Sequence, residues 1–292
     1  LHDKVEFEIV FSCYTLDLPE RLKILADFGF SENDQTQLAE SLRLLTNRII
    51  DQKDGLWRAD EAKLTILSQK RELILASGLD PVSRMYWLLE DCKRYGTLPF
   101  AGLARAGFIA VQMLKSLVSV GVFSQEEYDR FMNGLNTISS QLSRDLGSLD
   151  RTSFLSRYGH LRPGTYDILS PRYDEAPDDY FGRQQFSVEL EGNRKPFTLN
   201  LEQMREVSRL LDEHGLSSDV VGLFDFLQAG IELREYAKFI FTRNLSDALS
   251  LFRDWGEGYG FSPEELSYAN IGSIRDLYAG ADDPKAVLAH AI

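Results

Sequence analysis

Most of this chain places apolar residues at the spacing of an amphipathic α-helix. After Ser31, a typical N-cap residue, Leu38, Leu42, Leu45 and Ile49 lie three, four or seven residues apart. The same spacing recurs in the segments 60–78, 80–96, 98–121, 124–146, 200–215 and 217–255. The pattern predicts an all-α protein in which each of these segments is a helix.

Several residues mark predicted helix ends and contacts. Asp80 followed by Pro81 is typical of a helix start, and Gly96 is typical of a helix end. In the next helix, alanines and glycines cluster between Ala101 and Gly107. Because their side chains are small or absent, we expect another helix to approach closely there.

The N-terminal residues follow a different period. Positions 5, 7, 9 and 11 are apolar and alternate with Glu6 and Glu8, which is typical of a half-buried strand. We therefore expect one short strand within residues 1–13. The two carboxylates could bind a cation, but the exposed face of a strand explains them as well.

Glycine and proline interrupt the helical pattern between residues 158 and 197. Their density predicts a long irregular loop, and loops of that length in compact domains are usually functional or disordered. Two organisations fit the helical remainder, residues 14–292. Either the loop separates two subdomains, 14–157 and 185–292, or helices from both halves share one core.

The composition limits the classes of partner. Lys and Arg number 32 against 45 Asp and Glu, a formal net charge of −13, which disfavours nucleic acid and anionic membranes. No apolar run approaches the roughly 20 residues of a membrane span. Two cysteines and the lack of a signal-peptide pattern predict a reducing cytoplasm. The chain begins at Leu1, so we expect a piece of a longer protein.

The stretch "SRYGHLRPGTYDILSPRY", residues 156–173, is here called the arginine loop. It sets three arginines and a histidine against one aspartate, in a chain that is otherwise acidic. Guanidinium groups bind phosphate and carboxylate, and histidine and tyrosine add hydrogen bonds. The candidate anion-binding residues are Arg157, Tyr158, His160, Arg162 and Arg172, with Arg234 on a later helix.

A structural role is the alternative for the same residues. The arginines could pair with the acidic segment 174–179, while proline and glycine only shape the connection. Arg234 and Lys238 share a helix face with Ile231, so they could border a buried surface.

Motifs for other chemistries are missing from the sequence. It has no His-x-x-x-His or Cys-x-x-Cys for zinc, no Gly-x-Ser-x-Gly and no Gly-x-x-x-x-Gly-Lys. A hydrolase that used His160 with an acid would need a nucleophile, and none accompanies it.

The segment 154–179 resembles a stretch of the phosphoenolpyruvate-utilising phosphotransferases, which include pyruvate, water dikinase-like (phosphoenolpyruvate synthase-like) and rifampicin phosphotransferase-like proteins. In that family the stretch resembles Tyr-Gly-His-Arg-Gly-Pro-Gly-Glu, then Asp-(apolar)-Ser-x-Pro-Arg-(aromatic), before an acidic run. Leu161, Arg162 and Thr165 depart from the pattern, so a rifampicin-like substrate is not implied. The matching residues are Tyr158, Gly159, His160, Pro163, Gly164, Asp167, Ser170, Pro171, Arg172 and Tyr173.

Other parts of the chain are similar to the same family. Residues 233–249 and 260–277 resemble its helical middle region, and the N-terminal strand resembles the last strand of its ATP-grasp domain. A glutamate there binds the metal of ATP, and Glu6 occupies that place. The family's next residues, Gln-Ala-Arg-Pro, are replaced here by "SCYTLDLP".

The resemblance implies a fragment of an ATP-dependent phosphotransferase similar to phosphoenolpyruvate synthase. It would lie between the ATP-grasp and phosphohistidine domains, its implied partners, and would bind the acceptor or dock the carrier domain. His160 would be a site residue and not the phosphate carrier. ATP and magnesium are implied for the parent protein, no cofactor for this fragment, and the ligand would be a small phosphorylated or carboxylated substrate. The alternative is a non-catalytic acidic helical module that binds a protein.

Overall fold

A computed structural model of the protein describes residues 10–182, 197–280 and 283–292. This part of the chain is helical and contains no strand, so the all-α prediction is confirmed. A 3₁₀ turn, Lys23–Phe28, follows the first helix, and a π-helical segment, Cys92–Thr97, joins α4 to α5. The α-helices are α1 Leu18–Leu22, α2 Glu32–Ile50, α3 Leu56–Leu75, α4 Pro81–Asp91, α5 Leu98–Ser119, α6 Gln125–Asn133, α7 Ile138–Ser148, α8 Arg151–Tyr158, α9 Pro177–Phe181, α10 Leu201–Glu213, α11 Val220–Glu257, α12 Pro263–Leu266, α13 Gly272–Tyr278 and α14 Pro284–Ala291.

The N-terminal strand is not seen. Most of it, including Glu6, lies outside the described residues, and residues 10–13, which are described, form no regular structure. The predicted loop is irregular over residues 159–176, but α9 then interrupts it with a short helix. Pro177 favours this helix because its fixed φ suits a first helical position. The remainder of the loop, residues 183–196, lies outside the described part of the chain.

Helix starts agree with the predicted capping residues. The Asp34 amide donates to Ser31 Oγ at 3.2 Å, which begins α2. The Ser83 amide donates to Asp80 Oδ1 at 3.0 Å, with Pro81 at the first position of α4. Both starts were predictable because a short polar side chain satisfies a backbone amide within its own turn.

The segment 124–146, predicted as one helix, is two helices. Its first helix, α6, ends at Gly134, and α7 begins four residues later. Glycine weakens a helix interior. The amide of Asn136 donates its hydrogen bond to a side chain, Glu232 Oε1, at 2.7 Å, instead of to a helix carbonyl.

The predicted helix end at Gly96 is wrong. The chain stays helical from Pro81 to Ser119 through the π-helical segment. The glycine serves packing instead, since a β-carbon at Gly96 would lie 2.6 Å from Phe241 Cβ. The run Pro81–Ser119 is long and apolar enough to cross a membrane, a test that core helices also pass, and 44% of its most apolar window is buried.

We expect Gly96→Ala to lower the free energy of unfolding by about 1 to 2 kcal/mol, because overpacking against Phe241 outweighs the gain in helix propensity. Urea unfolding measures this difference. Gly78→Ala is the matched control, since nothing lies within 4 Å of its added β-carbon. Equal effects of the two substitutions would show that the contact with Phe241 is not what requires glycine.

The chain divides into two compact units, each built from three stretches. The predicted subdomains 14–157 and 185–292 do not coincide with these units, because each unit takes residues from both sides of the predicted loop. The first unit comprises Leu1–Glu61, Ala101–Thr137 and Glu191–Glu235, and the second comprises Ala62–Phe100, Ile138–Leu190 and Tyr236–Ile292.

In the first unit, α5 and α11 approach closely at two glycines. A β-carbon at Gly107 would lie 2.9 Å from the Gly230 carbonyl oxygen, and one at Gly230 would lie 3.1 Å from the Ala106 carbonyl oxygen. The predicted close approach at the small residues is confirmed. An aromatic cluster in this unit, with ring centroids 5.3 to 6.1 Å apart, is formed by Phe123, Phe131, Phe197 and Phe224.

In the second unit, the arginine loop is anchored in a hydrophobic core. Ile168 comes from the loop itself and is 6% exposed. The core joins it to residues of α4, α11, α12, α13 and α14. The buried members are Met85, Ile168, Phe252, Leu266, Ile274 and Leu288.

Candidate functional site

Backbone hydrogen bonds close the base of the arginine loop. The Tyr173 amide donates to the Leu161 carbonyl at 2.8 Å, and the Asp174 amide donates to the Gly159 carbonyl at 3.1 Å. Gly159 leaves no room for a side chain, because a β-carbon there would lie 2.8 Å from Asp174 Cβ. Glycine at this position therefore lets the two ends of the loop meet.

The tip of the loop is folded by its small and polar residues. The Gly164 amide donates to Ser170 Oγ at 3.1 Å, and the Leu169 amide donates to Asp167 Oδ1 at 2.9 Å. A β-carbon at Gly164 would lie 2.8 Å from Asp167 Cβ. These residues give the loop its shape.

Arg162 ties the loop to α11. The residue is 6% exposed. Its Nη1 donates to the Ser170 carbonyl at 3.0 Å, and its Nη2 donates to Ser250 Oγ at 3.1 Å and to Ser246 Oγ at 3.3 Å. These partners are uncharged, and burial lowers the pKa of the guanidinium. These bonds hold the loop on α11, whereas the buried Nε of Arg162 has no hydrogen-bond partner.

Arg172 is neutralised by two carboxylates. Its Nε and Nη2 donate to the two oxygens of Asp174 at 2.8 and 2.7 Å, and its Nη1 donates to Asp247 Oδ1 at 2.8 Å. The other oxygen of Asp247 accepts from Arg71 Nε at 2.7 Å. Asp247, on α11, therefore links an arginine of α3 to an arginine of the loop.

Arg157 and Tyr158 share one carboxylate of α7. Arg157 Nη1 and the Tyr158 hydroxyl both donate to Asp145 Oδ2, at 2.8 and 2.7 Å. Burial, together with the hydrogen bond to Asp145, raises the pKa of Tyr158 to about 12. Arg157 remains half-exposed, with its guanidinium carbon 5.3 Å from the Tyr158 ring centroid.

His160 is buried and uncharged at neutral pH. It is 6% exposed, and its Nε2 has no hydrogen-bond partner. Burial lowers its pKa to about 3, helped by the positive charges of Arg243, Arg172 and Arg71, while a hydrogen bond with the Phe239 backbone opposes the shift. The His160 ring centroid lies 4.8 Å from that of Phe239.

Arg243 differs from the arginines of the loop. Among the described residues it makes no ion pair, and its guanidinium carbon lies 4.7 Å from the Phe239 ring centroid. Burial lowers its pKa, and the nearby charge of Arg71 lowers it further. It is a partly buried cation that makes no ion pair with a described carboxylate, and the charge of Glu72 offsets the fall in its pKa only in part.

Sequence reasoning did not select Arg71, Arg243 or Asp247 as site residues. The sequence does contain a pattern that indicates Arg243 and Asp247, because polar residues recur at three- and four-residue spacing within an apolar stretch of α11. The same spacing is also typical of a core helix with a solvated side. The polar residues are Arg243, Ser246, Asp247, Ser250 and Arg253.

The structure does not bring Arg234 into this site. Arg234 belongs to the first unit, where it is exposed and its guanidinium carbon lies 4.4 Å from the Phe108 ring centroid. Glu6 lies outside the described residues. Within those residues, no group of three or more His, Cys, Asp or Glu side chains could hold a metal ion.

Both cysteines are free thiols buried in the protein. Burial raises the pKa of Cys13 to about 11 and that of Cys92 to about 12. Neither thiol is therefore an activated nucleophile.

The candidate site therefore contains two kinds of basic residue. Arg157, Arg162 and Arg172 are held by partners within the second unit, whereas His160 Nε2 and the guanidinium of Arg243 have no hydrogen-bonding or ion-pair partner among the described residues. Arg162 Nε is likewise buried without a hydrogen-bond partner, although the other nitrogens of that guanidinium are bonded. Comparison of the chain with protein families, with curated proteins and with solved structures finds no match.

Proposed function

We propose that this chain is the helical middle region of an ATP-dependent phosphotransferase that resembles phosphoenolpyruvate synthase. Its arginine loop would help to bind the acceptor or to dock the phosphohistidine carrier domain. One observation carries the proposal: residues of the family pattern, such as Gly159 and Gly164, fold the loop as a single unit that includes the buried His160. The residues that carry the family resemblance therefore contribute to one folded loop.

Phosphoryl transfer depends on positioning and on neutralising charge rather than on covalent help from the protein. A loop anchored on α11 and in a hydrophobic core provides a fixed surface for such positioning. In this proposal ATP and magnesium are bound by the ATP-grasp domain of a cytoplasmic parent protein, and this chain contributes its polar side chains.

A second candidate function is a non-catalytic module that binds a protein. It is favoured by the pairing of the loop's arginines, since Arg157 and Arg172 are neutralised by carboxylates and the two terminal nitrogens of Arg162 donate to neutral oxygens. Under this alternative the loop is a structural element, and no small anion is recognised.

The coding sequence on both sides of this chain tests the proposed function. We expect it to encode an ATP-grasp domain before the chain and a phosphohistidine domain after it. The protein containing all three should consume ATP in the presence of pyruvate, and the isolated chain should not. A reading frame that lacks both domains, or turnover of ATP and pyruvate by the isolated chain, would contradict the proposal.

A further inference from the structure

A cleft in the first unit is bordered by the end of α6, the segment before α10 and the start of α11. Its volume is about 430 Å³. Cavities of this size that combine apolar and aromatic side chains with a few polar groups typically bind small molecules. The apolar residues that line the cleft are Phe131, Leu135, Phe197, Leu199, Val221 and Phe224.

Three phenylalanine rings of the lining pack against one another. The Phe131 ring meets those of Phe197 and Phe224 edge to face, with centroids 5.3 and 6.0 Å away. The Phe197 and Phe224 rings are nearly parallel, at a centroid distance of 6.1 Å. A further aromatic ring packs well on such a group, because edge-to-face and offset contacts add to the burial of apolar surface. The lining therefore favours a ligand with an aromatic ring.

Hydrogen-bond acceptors on α11 lie beside these rings. Asp225 and Gln228 belong to the lining, and Gln228 Nε2 donates to Glu232 Oε1 at 3.1 Å. This bond directs the amide nitrogen of Gln228 to Glu232 and leaves its amide oxygen as an acceptor. Glu232 also accepts the amide of Asn136, the residue after Leu135 of the lining. The cleft therefore has one polar edge, formed by α11.

This edge is negative even when its ion pair is counted. Asp225 Oδ2 accepts from Arg58 Nη2 at 2.6 Å, so these two charges offset each other. Glu232 makes no ion pair within the described part of the chain, and its two hydrogen bonds come from neutral groups. Two carboxylates against one guanidinium leave one formal negative charge at the edge. The net charge of −13 on the whole chain attracts a cation from a longer distance as well.

We propose that this cleft binds a small organic cation in which a short chain joins an aromatic ring to an ammonium group. The ring packs against Phe131, Phe197 and Phe224. The ammonium group, which has only donors, binds the Oδ1 atom of Asp225 and the amide oxygen of Gln228, close to Glu232. The cleft belongs to the first unit and the arginine loop to the second, so the inference goes beyond the proposed function.

Titration of the purified chain with four matched probes tests the cleft. 2-Phenylethylammonium carries both the ring and the charge, 2-phenylethanol lacks the charge, 3-phenylpropionate reverses it, and butylammonium lacks the ring. Calorimetry measures affinity, and the methyl resonances of Leu135, Leu199 and Val221 locate the bound probe. We expect saturable binding of 2-phenylethylammonium that shifts these methyl resonances, and at least about fivefold weaker binding of each other probe. Added salt should weaken the binding of 2-phenylethylammonium and leave that of 2-phenylethanol unchanged.

Glu232→Gln and Asp212→Asn test the charge of the polar edge. Each removes one carboxylate charge from the first unit, and glutamine keeps an oxygen that accepts the Asn136 amide. Asp212 is exposed on α10 and does not line the cleft. Glu232→Gln should reduce the preference for 2-phenylethylammonium over 2-phenylethanol by about threefold or more, whereas Asp212→Asn should leave it within about 1.5-fold of wild type. A preference between two probes is not changed by a general loss of folded protein.

Phe224→Leu and Phe108→Leu test the aromatic lining. Both residues are partly buried phenylalanines of the first unit, but only Phe224 lines the cleft. Phe224→Leu should weaken the binding of 2-phenylethylammonium by about threefold or more, and Phe108→Leu should not. Unfolding temperatures of both variants show whether the comparison is made on folded protein.

Results on the wild-type protein alone are enough to overturn the inference. They are a failure of 2-phenylethylammonium to saturate, shifts of methyl groups outside the cleft only, or binding of 2-phenylethanol or butylammonium as tight as that of 2-phenylethylammonium. Any of these outcomes leaves the proposed function as it stands, because that function concerns the second unit and the domains on either side of the chain.

Discussion

Asp247→Asn is expected to lower the free energy of unfolding by about 3 kcal/mol, as measured by urea denaturation. Asp247 is 9% exposed and accepts charged hydrogen bonds from Arg71 and Arg172, whose side chains are 18% and 14% exposed. Asparagine has nearly the same size, but it removes the negative charge. It also turns an N–H group toward one of the two guanidinium groups, which have only donors.

The expected effect lies at the lower end of the range for broken buried ion pairs, because each arginine keeps a second carboxylate. Arg71 still contacts Glu72 at 2.7 Å, and Arg172 still contacts Asp174 at 2.7 Å. These remaining partners are more exposed, with 71% and 38% of their side chains accessible, so they compensate in part.

Asp254→Asn is the matched control in the same helix. The Asp254 side chain is 65% exposed and lies 3.1 Å from Arg253. Its loss should change the free energy of unfolding by less than about 0.5 kcal/mol. If both substitutions cost the same, burial of the Arg71–Asp247–Arg172 link does not stabilise the loop, and the structural account of Arg172 fails.

The parts of the fold that could be predicted are determined by interactions between residues close together in the sequence. The caps at Ser31 and Asp80 act within one helical turn, and the apolar spacing of α11 is read directly along the chain. The composition of the arginine loop likewise identified His160 as unusual. Local chemistry therefore predicted the helices and pointed to the loop.

What the sequence did not reveal depends on residues far apart in the chain. The buried partner of Arg71, Asp247, lies 176 residues away, and Arg162 reaches Ser246 across 84 residues. Sequence alone predicts a helix end at Gly96, because the contact with Phe241 that requires glycine there joins residues distant in the chain. Whether an arginine is free or paired is decided by such contacts, so the arginines of the loop could not be sorted from sequence alone.

The same distinction explains why Arg243 was not selected. Within α11 it is one charged residue among several, and its spacing fits an exposed helix face as well as a site. Its lack of a partner emerges only when α3, α7 and the loop supply carboxylates to Arg71, Arg157 and Arg172.

Acidification from pH 7 to pH 5 is expected to lower the free energy of unfolding by about 2 kcal/mol through His160 alone. Burial and the charges of Arg243, Arg172 and Arg71 lower the pKa of His160 from 6.5 to about 3 in the folded protein. The unfolded chain takes up a proton near pH 6.5, whereas the folded protein does not until about pH 3. The stabilisation is therefore complete above pH 6.5 and is lost progressively as the pH falls toward 3.

The interval from pH 7 to pH 5 separates this effect from that of the carboxylates. Arg253 and the backbone amide of Arg172 hold the pKa of Glu175 at about 2, against the opposing effect of its partial burial. A carboxylate with a lowered pKa loses its contribution only below its unfolded pKa of about 4.3. Between pH 7 and pH 5 the loss of stability therefore reports mainly on buried, neutral histidine.

His160→Gln identifies the residue responsible, because glutamine does not titrate. The variant's own stability at pH 7 is not the readout, since any buried substitution can change it. The change in stability between pH 7 and pH 5 should shrink by about 2 kcal/mol in His160→Gln and stay at the wild-type value in His290→Gln, which replaces an exposed histidine. If the His160 ring of the wild-type protein instead takes up its proton near pH 6.5, as followed by its nitrogen resonances, the imidazole is not held neutral by burial and by the surrounding arginines.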